Sequence, residues 1–96
     1  FFLRRNENQK AFQLAAEAAT RNPGSARNCF LTGKALVHLG KQDLSVRWLE
    51  RAVELDPQYA DALYLLGQTY RKLGRQADAT RVLERFKEAS KSRPRR

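Results

Sequence analysis

Apolar residues along this chain recur every three or four positions, as in Leu63, Leu66, Tyr70 and Leu73, and again in Ala79, Val82, Leu83 and Phe86. That spacing lines them along one side of an α-helix. The runs are broken at Leu39-Gly40-Lys41 and Leu73-Gly74-Arg75, where glycine ends a helix by taking the left-handed conformation at little steric cost. They are broken again at Asn22-Pro23-Gly24-Ser25 and Asp56-Pro57. Proline there lacks the donor that a continuing helix needs, and a polar residue caps the next start. The pattern predicts helices near 8–21, 26–39, 42–55, 60–73 and 76–90, with residues 1–5 the tail of a cut helix. The fold class is therefore all-α.

The helices come in a repeating unit. Residues 26–59 and 60–93 align without a gap and are identical at eleven of 34 positions. The matches include Gly33 with Gly67, Leu39-Gly40 with Leu73-Gly74, and Leu49-Glu50-Arg51 with Leu83-Glu84-Arg85. One period further back, Pro57 falls on Pro23 and Ala52 on Ala18, so residues 1–25 hold part of an earlier unit, and 94–96 form a basic tail. A fixed period of this length is the mark of stacked repeats.

In length and helix-turn-helix content the unit resembles the tetratricopeptide repeat. The second full unit supplies Leu63, Leu66-Gly67, Tyr70, Ala79 and Leu83 of that signature, with Lys91 where proline is expected. The first supplies Cys29, Thr32-Gly33, Leu36, Ser45, Leu49 and Pro57, and the partial unit Ala11, Ala15 and Pro23. The resemblance implies an alpha-alpha superhelix of antiparallel helix pairs. Gly33 and Gly67 would let the paired helix approach, with Ala11, Ser45 and Ala79 accepting it from the other side. Putting Leu at Gly67 is expected to cost about 1–3 kcal/mol by forcing the pair apart.

The resemblance also implies function: a non-catalytic scaffold whose first helices line a concave groove for a partner's peptide or helix. By position, that groove presents Arg27, Phe30, Lys34, His38, Tyr64, Gln68, Arg71 and Lys72, together with Leu31, Val37, Asp61 and Leu65. The carboxylate clamp of some family members is not supported, because Phe30 and Lys34 stand where its Lys and Asn would be and Leu65 replaces the second Asn. Phe30 and Tyr64 are expected to be partly packed. Trp48 reads as an inter-helix packing residue and Cys29 as a buried, inert thiol. His38 reads as a surface bystander. Arg47 and Arg51 with Glu50 and Glu54, repeated as Arg81 and Arg85 with Glu84 and Glu88, read as a solvent face of weak charge pairs.

Charge sharpens the choice of partner. The chain has 19 Lys and Arg against 10 Asp and Glu, a formal +9, which draws acidic partners by long-range attraction. An acidic peptide is expected, and a nucleic acid or anionic surface is the alternative, since Arg93-Pro94-Arg95-Arg96 adds to the excess at the C-terminal end. The single Cys and single His leave no cluster for a metal, and no cofactor is expected. Neither a phosphate loop nor a nucleophile-base motif occurs, so an enzyme is not expected. No apolar run nears the ~20 residues that span a bilayer, so no membrane insertion is expected and the cytoplasm is the default compartment. With 96 residues and no Met, the chain reads as a segment of a longer protein, of marginal stability. Such arrays bury their ends against neighbouring units. Val82, Leu83 and Phe86 at one end, and Phe1, Phe2 and Leu3 at the other, are therefore expected to lie uncovered and to drive self-association into a homo-oligomer.

Overall fold

A computed structural model describes the backbone of residues 2–92 and the side chains of residues 6–91. All regular structure among them is helical: α1 Phe2–Arg21, α2 Ala26–His38, α3 Gln42–Leu55, α4 Ala60–Lys72 and α5 Gln76–Ser92. Four of these agree with the sequence pattern to within two residues. The first does not, because α1 runs unbroken from Phe2 where a cut helix and a second helix were expected. The physical reason lies one period before Gly40: that position is Asn6, and among the described residues only Gly40 and Gly74, both with φ 79°, take the left-handed turn that separates paired helices.

The two turns are copies of each other. Lys41 N–H donates to the Leu36 carbonyl at 2.9 Å and Arg75 N–H to the Tyr70 carbonyl at 2.9 Å. These bonds satisfy carbonyls that a helix end leaves without a partner. At the unit boundary, the Ser25 side chain accepts from Asn28 N–H at 3.2 Å and so caps α2. Asp56 accepts from Gln58 N–H at 3.2 Å in the turn that Pro57 occupies.

Each helix packs on the next, and α2 also touches α4. One apolar core runs through both units, from Cys29 through Leu49, Ala52, Leu63 and Leu66 to Val82 and Ala89, with Trp48 packed partly buried against it. The glycines matter as expected, but their partners differ from those expected. A Cβ on Gly33 would stand 2.8 Å from Leu49 Cγ and 3.3 Å from the Ser45 carbonyl oxygen, and one on Gly67 would stand 2.6 Å from Leu83 Cγ. The leucines, more than Ser45 and Ala79, press on the bare helix faces. Ala11 takes no such role: it is exposed.

Two further expectations are corrected. Val82 is buried, Leu83 is half-buried against Gly67, and the Phe86 ring lies 5.2 Å from that of Tyr64. Because α4 packs on α5, Val82 is covered and Leu83 and Phe86 are covered in part. Phe1, and the side chains of Phe2 and Leu3, lie outside the described residues. The charge rows also divide differently. Arg51 pairs with Glu54 at 3.4 Å, both exposed, and such a pair is worth at most a few tenths of a kcal/mol. Arg81 and Arg75 both pair with Asp78. Glu50 instead accepts a hydrogen bond from the buried Tyr70 hydroxyl, over whose ring the Arg75 guanidinium sits at 4.5 Å. Burial and the Glu50 carboxylate together push the Tyr70 phenol well above the usual tyrosine range. Tyr70 thus ties α4 of the second unit to α3 of the first.

Candidate functional site

The first helix of each unit sets out the candidate groove. Helix α2 carries Arg27, Phe30, Lys34 and His38, and α4 carries Tyr64, Gln68, Arg71 and Lys72. The core-facing residues of these helices, Thr32, Gly33 and Leu36 on α2 and Leu63, Leu66 and Gly67 on α4, are buried. The opposite side of each helix is thereby left toward solvent.

Phe30, Lys34 and Tyr64 come together in one depression of about 490 Å³, completed by Asp61, Leu65 and Phe86. Phe30 is half-buried, with its ring 5.1 Å from that of Tyr59. Tyr64 remains 48% exposed although it contacts Phe86. The two aromatics are therefore braced from behind and open in front, an arrangement that offers apolar area at small entropic cost. Lys34 Nζ lies 6.0 Å from the Phe30 ring centre, at the outer limit of a cation–π contact. Among the described residues Lys34 is in no ion pair.

Lys34 also borders a second depression, of about 420 Å³, between α1 and α2, and His38 borders it too. Arg27, Arg71 and Lys72 are exposed and Gln68 half-buried, and none of the four lines either depression. The structure thus brings Phe30, Lys34 and Tyr64 together, places His38 at the second depression, and leaves Arg27, Gln68, Arg71 and Lys72 outside both. Sequence reasoning missed Phe86 of α5 as a wall of the first depression, because it belongs to a second-layer helix. It also missed Leu14 of α1 in the second. The arrangement holds side chains for contact: Cys29 is buried, which raises its thiol above the ordinary value. Among the described residues no group of three or more His, Cys, Asp or Glu could hold a metal ion, and no helix is long and apolar enough to cross a membrane. The Arg93-Pro94-Arg95-Arg96 tail lies outside the described residues.

A TPR repeat model matches residues 33–74, and a tetratricopeptide repeat model matches residues 61–91. No curated protein matches the chain in sequence. Among solved structures, the chain is similar to a crystal structure of MamA, with TM-score 0.82, 24% identity and coverage of 85% of this chain and 48% of that one. It is also similar to MamA, residue 41 to the end, from Desulfovibrio magneticus RS-1, with TM-score 0.85, 19% identity and coverage of 97% and 52%. The chain spans about half the length of these proteins. At such identities the likeness is one of fold.

Proposed function

The chain belongs to the tetratricopeptide repeat family, and from that premise we propose that it is a non-catalytic scaffold holding a peptide or helix of a partner protein, acidic in character, on the α2–α4 face. The observation that carries this reading is the depression of Phe30, Lys34 and Tyr64. It joins two braced aromatic faces to a lysine that is in no ion pair among the described residues. Aromatic side chains in such pockets supply most of the affinity of a protein contact. The cations around them, Arg27, Arg71 and Lys72, would raise the rate of encounter with an acidic segment, and His38 would offer a further polar group. Gln68 adds a neutral hydrogen-bonding group on the same helix.

Affinity capture with the chain, alongside Tyr64→Ala and the double variant Lys34→Glu/Arg71→Glu, tests this. Proteins retained by the native chain should be lost from both variants, whereas an unchanged set of bound proteins would refute the groove. Association of copies is a second reading, favoured by Leu44, which is 51% exposed at the α2–α3 turn. A light-scattering mass that stays monomeric as concentration rises would remove it.

A further inference from the structure

The apolar residues of the α2–α4 groove repeat from one unit to the next, and its two inner charges do not. Phe30 and Leu31 stand one period before Tyr64 and Leu65, whereas Lys34 falls on Gln68 and Asp61 on Arg27. Both charges nonetheless line the depression that holds Phe30, Tyr64 and Leu65. Both are exposed, and among the described residues neither is in an ion pair, with the other or with a third group. The depression lies between the two full units, with α2 packed on α1 and α3, and α4 packed on α3 and α5. Along these helices the charges have an order. Helices α2 and α4 run in the same sense, because the chain turns back at 39–41 and again at 56–59. Lys34 comes one helical turn after Phe30, and Asp61 one turn before Tyr64. The aromatic centre is thus flanked by a cation on one side and a carboxylate on the other, and His38, Arg71 and Lys72 follow on the side of the cation.

We propose that the groove selects a partner segment of dipolar charge: an aromatic or other large apolar anchor with acidic residues on one side of it and a basic residue on the other. This inference rests on the α2–α4 reading and narrows its acidic peptide to one whose acid lies on a single side of the anchor. A side chain seated between Phe30 and Tyr64 leaves its neighbours along the segment facing Lys34 at one end and Asp61 at the other. Acidic residues on both sides would set one of them against Asp61, and like charges so placed repel. Two opposite charges held apart in one depression both gain a counter-charge only from an occupant that carries its own charges in the matching order. That order leaves the direction of the backbone free, because a segment can enter with either end towards Lys34. Asp61 in the first turn of α4, and Arg71 and Lys72 in its last, also complement the helix dipole. Such a contribution to stability acts alike on every occupant and selects none.

The test uses two synthetic peptides of one composition with blocked ends. In the first, a central Phe has two Lys on one side and two Glu on the other; in the second, each side has one Lys and one Glu. Their equal net charge removes long-range attraction from the comparison. Chemical-shift titration of the isotope-labelled chain should show the first peptide bound about fivefold more tightly, the factor that two solvent-facing ion pairs supply. Lys34→Gln and Asp61→Asn should each reduce that preference, and the double variant Lys34→Gln/Asp61→Asn should abolish it. Both side chains are exposed, so the variants keep the fold. Arg51→Gln, an equal loss of charge on α3, should leave the preference unchanged. Each ratio compares two peptides on one folded variant, so a change in stability alone does not move it. Equal affinity of the native chain for the two peptides, with both weakened by Tyr64→Ala, would overturn the charge order and leave the groove standing; so would a preference that survives in the double variant. Binding indifferent to Tyr64→Ala, or no binding of either peptide, would remove the groove reading and this inference with it.

Discussion

Gly33→Ala should destabilise this protein even though alanine is the better helix former by about 1 kcal/mol. The added Cβ would lie 2.8 Å from Leu49 Cγ and 2.9 Å from its Cδ2. Carbon pairs rest at about 3.5–4.0 Å, so Leu49 must retreat by roughly 0.7 Å merely to reach the near edge of that range. Leu49 is fully buried, with an exposure of 0%, and the new Cβ is itself hemmed in by the Ser45 carbonyl oxygen of the α3 backbone, 3.3 Å away. Overpacking of this kind costs about 1–3 kcal/mol, which leaves a net loss of about 1 kcal/mol after the gain in propensity. In a domain of this size that lowers Tm by about 4–8 °C. Gly67→Ala should lose less, although its clash with Leu83 is closer at 2.6 Å, because Leu83 is only half-buried and can swing aside. Gly67→Leu should lose more than Gly67→Ala. Gly24→Ala is the control, with nothing within 4 Å of the new Cβ and no left-handed φ, and should gain about 0.4–1 kcal/mol. Thermal unfolding followed by circular dichroism reads all four, and a Gly33→Ala midpoint at or above the native value would refute the packing.

Other perturbations test other contacts. Tyr70→Phe removes the hydroxyl that donates to Glu50 and should cost about 0.5–1.5 kcal/mol in urea denaturation; an unchanged midpoint would show that the tie between units contributes nothing. Because the folded state holds that phenol protonated beyond its unfolded value near 10, the stabilisation is complete below about pH 10 and fades as pH rises further. Native-state ultraviolet titration should accordingly show one tyrosine ionising only as the helices unfold. Gly40→Ala forces a Cβ into φ 79° and should cost about 1 kcal/mol through the local backbone alone, since no other part of the fold lies within 4 Å of the new atom. The charge-only alternative predicts steeply salt-dependent binding to mixed-sequence DNA or RNA, lost when residues 91–96 are removed; no binding at low salt would end it.

What the sequence disclosed, and what it withheld, follows from the range of each interaction. Helix ends were legible because Gly40, Gly74, Pro23 and Pro57 act on their own neighbours, and the gapless period exposed the pairing of α2 with α3 and α4 with α5. The role of Gly33 and Gly67 was legible too, since a bare helix face repeated at a fixed interval implies close approach. Their actual partners, Leu49 and Leu83, were not, because which knob meets the glycine depends on the relative rotation of two helices. For the same reason Glu50 was read as a solvent-face charge, when it receives the Tyr70 hydroxyl from twenty residues away. The break expected near residues 6–7 failed because the partial unit has Asn6 where the two full units have Gly40 and Gly74, and the helix simply continues. The site residues divided by depth of burial. Phe30 and Tyr64 converge because each ring rests on another ring, Tyr59 and Phe86, and Lys34 borders the same depression, whereas Arg27, Arg71 and Lys72 are exposed side chains that line neither depression.

The most direct test of the functional claim is amide chemical-shift mapping of the labelled chain with the shortest fragment of a captured partner that still binds. Binding to the proposed groove predicts perturbations clustered on α2 and α4 around Phe30, Lys34 and Tyr64, with the Arg47 and Arg51 side of α3 silent. Perturbations confined to α5 from Arg81 to Lys91, or to the basic tail, would contradict it.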